Sequence, residues 1–142
     1  MNQLREEMGV QKMLIAYGMT ETSPVTFITS IEDGDEKGTS TVGRVLPHTG
    51  AKVVGKGGEI VRRGERGELC TSGFALQKGY WGNEEKTREV MRVDGDGVLW
   101  MHTGDEAFID EDGYAHITGR IKDLIIRGKF WYNLILIWFA NH

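Results

Sequence analysis

A single cysteine and two prolines are all that this chain of 142 residues holds of those types. One cysteine excludes an internal disulfide and suits a reducing compartment. Set in Glu68-Leu69-Cys70-Thr71, it reads as a small buried residue rather than a reactive thiol. Clustered positive charge is also missing. The net charge is -4, and the one adjacent basic pair, Arg62-Arg63, gives a nucleic-acid backbone little to bind. No apolar run approaches the roughly 20 residues of a membrane span. The longest, residues 130–140, is too short and lacks the amphipathic period of a surface anchor. Met1-Asn2-Gln3-Leu4-Arg5-Glu6-Glu7 has neither the basic start nor the apolar core of a signal peptide. If the chain is an internal fragment, any targeting sequence is expected upstream, and localisation is not readable. The four histidines, His48, His102, His116 and His142, lack metal-ligand spacing along the chain.

Glycine is what the chain has in excess, with 20 residues against a usual share of about 7%. Short β-prone stretches at residues 51–54, 59–62, 68–72, 98–102, 107–110 and 114–118 alternate with glycine-bearing turns, the spacing of an antiparallel barrel or sandwich. Residues 83–92 predict a helix, capped by Asn83 and carrying Glu84 and Glu85 in its first turn. A weaker helical pattern covers residues 2–14. Leu14-Ile15-Ala16-Tyr17 predicts a buried strand, and residues 31–41 a mobile polar loop.

Three segments combine glycine with side chains suited to a nucleotide. In Tyr17-Gly18-Met19-Thr20-Glu21-Thr22, Tyr17 offers a flat wall to adenine and Gly18 permits close approach. Thr20 can donate to a phosphate, and Glu21 is a hard oxygen ligand for Mg²⁺. The same residues also suit a strand end followed by a capped turn. In Thr103-Gly104-Asp105, the carboxylate can accept from both ribose hydroxyls, or can simply be a turn aspartate. The third segment is Gly119-Arg120-Ile121-Lys122-Asp123-Leu124-Ile125-Ile126-Arg127-Gly128. Two apparent motifs fail. Gly50-Ala51-Lys52-Val53-Val54-Gly55-Lys56 has a phosphate-loop skeleton, but Gly57 stands where Ser or Thr belongs and the flank is strand-like. A calcium-loop reading from Asp33 puts Lys37 and Arg44 at ligand positions.

Order, spacing and flanks of the three segments resemble the later nucleotide-binding motifs of the adenylate-forming (AMP-binding) superfamily. The flanks are Ser23-Pro24-Val25, Gly67-Glu68-Leu69-Cys70-Thr71-Ser72-Gly73, Gly79-Tyr80-Trp81-Gly82 and Asp112-Gly113-Tyr114. Across about residues 10–129 the likeness is greatest to medium-chain acyl-CoA synthetases of the acyl-CoA synthetase family member 2 type. The resemblance implies an α+β fold, mainly antiparallel β in a distorted barrel, preceded by a strand-loop from a mixed α/β sheet. It divides the chain into 1–37, the end of the α/β part; 38–118, barrel-like; 119–128, a hinge to a C-terminal lid; and 129–142, a divergent apolar tail.

By the same resemblance, Tyr17, Gly18, Met19, Thr20, Asp105 and Arg120 bind ATP or AMP, with Gly18 and Met19 also lining an acyl pocket. Thr20, Glu21 and Lys122 are catalytic, Glu21 holds Mg²⁺, and Lys122 marks the hinge unless it is only a solvated charge. The implied partners are a small-molecule carboxylic acid, ATP and coenzyme A. The chain is expected to be a fragment of such a ligase, inactive alone, since the family's Ser/Thr/Gly-rich phosphate loop would lie upstream and its lid downstream. Residues 129–142 match nothing in the family and read as foreign sequence. A non-catalytic truncated product, or an adenylating enzyme with another acceptor, is the alternative.

Overall fold

The computed structural model describes Gly9 and residues 13–121. The helix expected at 2–14 falls almost wholly outside that span, as do Lys122 and the apolar tail.

Among the described residues, the chain builds two antiparallel sheets. In the first, β1 (Ala16–Gly18), β2 (Val25–Ile28) and β3 (Arg44–Val45) lie in that order. The second orders β4 (Thr49–Val54), β5 (Gly67–Gly73), β7 (Leu99–Ile109) and β6 (Met91–Val93), with β8 (Ala115–Arg120) also paired to β7. Two short α-helices also lie among the described residues, α1 (Asp35–Ser40) and α2 (Glu84–Val90). A mainly antiparallel α+β architecture is what the family resemblance implies.

Burial explains why the elements sit where they do. β5 lies between β4 and β7, and its Leu69, Cys70, Thr71 and Ser72 are all buried, so it lacks the alternation of a one-sided strand. Leu69 joins Phe27, Val53, Ala107 and Ala115 in one apolar cluster fed by both sheets. Main-chain bonds clasp them further: Val42 N–H donates to Ala115 O at 3.0 Å and Ala115 N–H to Gly43 O at 2.9 Å.

Five sequence expectations need correction. β1 is not a buried strand: Ile15 is buried beside it, but Leu14 and Ala16 are exposed, and among the described residues the strand pairs antiparallel with β2 alone. The stretch 59–62 forms only one bridge, Ile60 to Val54, because Arg62 N–H turns to the Glu65 carboxylate at 3.2 Å. Residues 31–41 contain α1 rather than only a loop. Its Thr39 and Ser40 hydroxyls bond back to the Asp35 and Glu36 carbonyls, and Lys37 docks it on Asp110 and Asp112. The helix expected over 83–92 stops at Val90, since Met91 is drawn into register with Met101. Its cap holds, Asn83 Oδ1 accepting from Lys86 N–H at 2.9 Å.

The fifth correction matters most for function. The strands expected at 98–102 and 107–110 are one strand, β7, running straight through Thr103-Gly104-Asp105. Gly104 absorbs the irregularity with a φ of +75°. Here side chains replace ladder partners: Gly104 N–H donates to Glu68 Oε1 at 3.1 Å, and Asp105 N–H to Thr103 Oγ1 at 3.1 Å. The register against β5 shifts between Glu68 and Cys70, which makes the apparent turn a bulge.

Candidate nucleotide site

β1 ends at Gly18, where a Cβ would fall 1.7 Å from the Pro24 carbonyl oxygen. Glycine is therefore required by the chain's own return path. Beyond it, residues Thr20–Thr22 form a single 3₁₀ turn. Buried Thr22 holds that turn from inside: its hydroxyl accepts from Met19 N–H at 3.1 Å and from the Thr26 hydroxyl at 3.0 Å. The turn in this way presents Thr20 on the exposed side, with Met19 and Glu21 half-buried.

Tyr17 points across to the second sheet. Its ring meets Phe27 edge-on, centroids 6.0 Å apart, and its hydroxyl donates to Asp105 Oδ2 at 2.6 Å. Burial, then the Asp105 charge, pushes the phenol well above its ordinary value, so the proton stays on Tyr17. Asp105 pairs with Arg120 across the β7–β8 ladder, and Arg120 Nε donates to Asp105 Oδ1 at 3.1 Å. Residues from all three sequence segments thus meet on one carboxylate. Arg120 remains largely exposed while Asp105 is largely covered. Thr103 steadies the strand from below, donating to Leu69 O at 2.8 Å.

Glu21 belongs to a separate contact. Its Oε1 accepts from the Tyr80 hydroxyl at 2.6 Å, and its carbonyl accepts from Gln77 N–H at 2.9 Å. That hydrogen bond, with burial, pushes the Tyr80 phenol up to about 12. Tyr80 is the residue that sequence reasoning missed. It lies within Gly79-Tyr80-Trp81-Gly82, but nothing in the chain links it to Glu21, 59 residues away. Lys122 lies outside the described residues.

The rejected phosphate-loop skeleton lies in strand β4. Lys52 stacks over Trp100 at 4.0 Å and pairs with Asp94 at 3.1 Å. Nor is the segment after Asp33 an ion loop. Asp33 accepts from the Tyr114 hydroxyl at 2.6 Å, and Lys37 turns away to Asp110 and Asp112.

The family model described as AMP-binding enzyme matches residues 1–81. The chain belongs to the AMP-binding enzyme family. Among AMP-binding relatives, it is 59% identical over 126 residues to the acyl-CoA ligase cnsG of Penicillium expansum, covering 89% of this chain and 26% of that protein. It is 48% identical to the mitochondrial medium-chain acyl-CoA ligase ACSF2 of Danio rerio, covering 90% of this chain and 21% of that protein. The structure superposes on a long-chain-fatty-acid-CoA ligase, FadD1, from Archaeoglobus fulgidus with a TM-score of 0.72 and 32% identity, over 78% of this chain and 22% of that one. This AMP-binding chain is thus related to ACSF2-type ligases as well. It spans about a quarter or less of the length of these relatives.

Proposed function

We propose that this chain supplies half of the nucleotide site of an ATP-dependent acid–CoA ligase. In that reaction a carboxylic acid attacks ATP, forming an acyl-adenylate and pyrophosphate, and the acyl group then passes to coenzyme A. The observation that carries the reading is the convergence of Tyr17 and Arg120 on Asp105. A carboxylate held by a phenol on one oxygen and a guanidinium on the other is fixed in orientation. Further lone pairs remain on both oxygens for the vicinal ribose hydroxyls.

The other roles follow from placement. Tyr17 sets Asp105 and offers its ring face near the base, while exposed Thr20 donates to a phosphate oxygen. Glu21 suits a magnesium ion: it is a hard oxygen donor, and the Tyr80 bond leaves most of its lone-pair sites for a cation. Magnesium, when bound, supplies neutralisation of phosphate charge. Arg120, exposed at the end of β8, adds positive charge beside the ribose and phosphate region. Gly18 and Met19 border the acyl pocket, and Lys122 is assigned to the hinge. Similarity to ACSF2 favours a medium-chain acid as substrate.

The test joins this sequence to the flanking segments of the Danio rerio relative and follows acid-dependent ATP–pyrophosphate exchange. Exchange is expected with medium-chain acids, and Glu21→Gln should slow it by about a hundredfold through the lost metal ligand. A folded chimera without exchange, or a Glu21→Gln variant at full rate, would refute the assignment.

A further inference from the structure

We propose that Glu68, Cys70 and His102 form a binding site for one thiophilic divalent cation of the zinc class, separate from the nucleotide site. Sequence spacing hides this group because the β5–β7 pairing assembles it. Cys70 lies directly opposite His102 in the ladder, and the register shift carries Glu68 to the same place. The three ligand atoms all lie within 4.8 Å of one another. Cys70 Sγ is 3.4 Å from His102 Nδ1, and Glu68 Oε2 is 2.7 Å from the same nitrogen.

That shared nitrogen separates two chemistries. A thiol–imidazole–carboxylate relay for nucleophilic catalysis places thiol and carboxylate on opposite ring nitrogens, so that one is deprotonated as the other orients. Here both approach Nδ1, and a relay is geometrically excluded. Cys70 is also fully buried, and burial, then the Glu68 charge, pushes its thiol up to about 12. It is not a surface nucleophile. Three donor atoms of these types within 4.8 Å of one another are instead the makings of a metal site.

Dimensions agree. Zinc bonds of about 2.3 Å to sulfur and about 2.0–2.1 Å to nitrogen, at tetrahedral angles, set ligand atoms roughly 3.3–3.6 Å apart. The Cys70–His102 separation already falls there. The Glu68–His102 hydrogen bond must open by less than about 1 Å, a small side-chain adjustment. One thiolate, one imidazole and one carboxylate favour zinc or cobalt over magnesium or calcium. Glu68 and His102 both keep partial exposure, so the group is not sealed from solvent. Outer contacts are in place as well: Glu68 Oε1 is held by Gly104 N–H at 3.1 Å.

Binding must displace the thiol proton, so affinity should rise with pH. The other charges bearing on Cys70 are Lys52, opposite it on β4, and Arg92 on β6, and both favour the thiolate. Lys52 is itself paired with Asp94.

The decisive experiment titrates the 142-residue chain with Co²⁺ and then with Zn²⁺. Cys70 is the only thiol, so a near-ultraviolet thiolate-to-cobalt charge-transfer band reports on it alone. One equivalent of Co²⁺ should produce the band, Zn²⁺ should abolish it, and Zn²⁺ should raise the melting temperature. His102→Gln and Glu68→Gln should each weaken binding by about 10-fold or more. His48→Gln and His116→Gln should leave it unchanged. Cys70→Ser should remove the band, and the two partly exposed positions carry the test if that buried variant does not fold. Absence of a band in the wild-type chain, or a band indifferent to both His102→Gln and Glu68→Gln, overturns the proposal.

Discussion

Asp105 is the residue on which most converges, since Tyr17 and Arg120 each occupy one of its oxygens. Removing it deletes two proposed ribose contacts and leaves the Tyr17 hydroxyl, inside the fold, without its acceptor. Asp105→Ala is therefore expected to weaken ATP binding by about 2–4 kcal/mol in the chimeric ligase. Isothermal titration would check this, and unchanged affinity would remove the ribose role. A single-atom change resolves the two parts of the effect. Tyr17→Phe keeps the carboxylate and loses only its orienting donor, so its cost should be the smaller.

Elements are held by turns whose side chains act on their own backbone. In the β6–β7 turn, Asp94 Oδ1 accepts from Val98 N–H at 3.0 Å and Asp96 N–H at 3.1 Å. Its Oδ2 accepts from Trp100 Nε1 at 2.6 Å and Lys52 Nζ at 3.1 Å. These bonds, led by the Val98 amide, lower the Asp94 carboxyl from its ordinary value of 3.8 to about 2. Between those values the unfolded chain binds the proton and the folded chain does not. The stabilisation is thus fully present above about pH 4 and lost as pH falls through about 2. Carboxyl chemical shifts followed by acid titration should show Asp94 titrating well below its ordinary value, and the Trp100 indole resonance should move with it. A midpoint near the ordinary value would mean that the turn is not bonded as described. The helices follow the same logic at lower strength. α2 keeps its Asn83 cap, whereas α1 depends on Lys37 reaching the acidic β7–β8 turn.

At the scale of the molecule, two small sheets share one core. Phe27, from the first sheet, is almost wholly buried against Val53, Leu69, Ala107 and Ala115 of the second. Neither sheet alone covers an apolar face, so unfolding should be a single transition by any probe. Phe27→Ala is expected to lower stability by about 3–5 kcal/mol, from lost transfer energy plus the cavity. Urea unfolding should show a lower midpoint with an unchanged slope. A loss below about 1 kcal/mol would mean that the sheets are not joined through this residue.

Local chemistry is what the sequence by itself determined: the Asn83 cap, the glycine-rich turns, the buried single cysteine and the three segments that mark an AMP-binding chain. Each is written in neighbouring residues, and neighbours along the chain are also neighbours in space. Tertiary structure decided what met across strands. Tyr17 and Asp105 are 88 residues apart, and Glu21 and Tyr80 are 59 apart. Only sheet pairing brings them to hydrogen-bond distance. The same holds for errors of reading. Thr103-Gly104-Asp105 has the composition of a turn, yet Glu68 from the adjacent strand supplies an acceptor that keeps it in β7. Residues 31–41 have the composition of a loop, yet a docking lysine turns part of it into a helix. His102 has no ligand spacing in sequence, yet lies 3.4 Å from Cys70. Register depends on cross-strand packing, with a side-chain period of two residues, and no single strand carries that information alone.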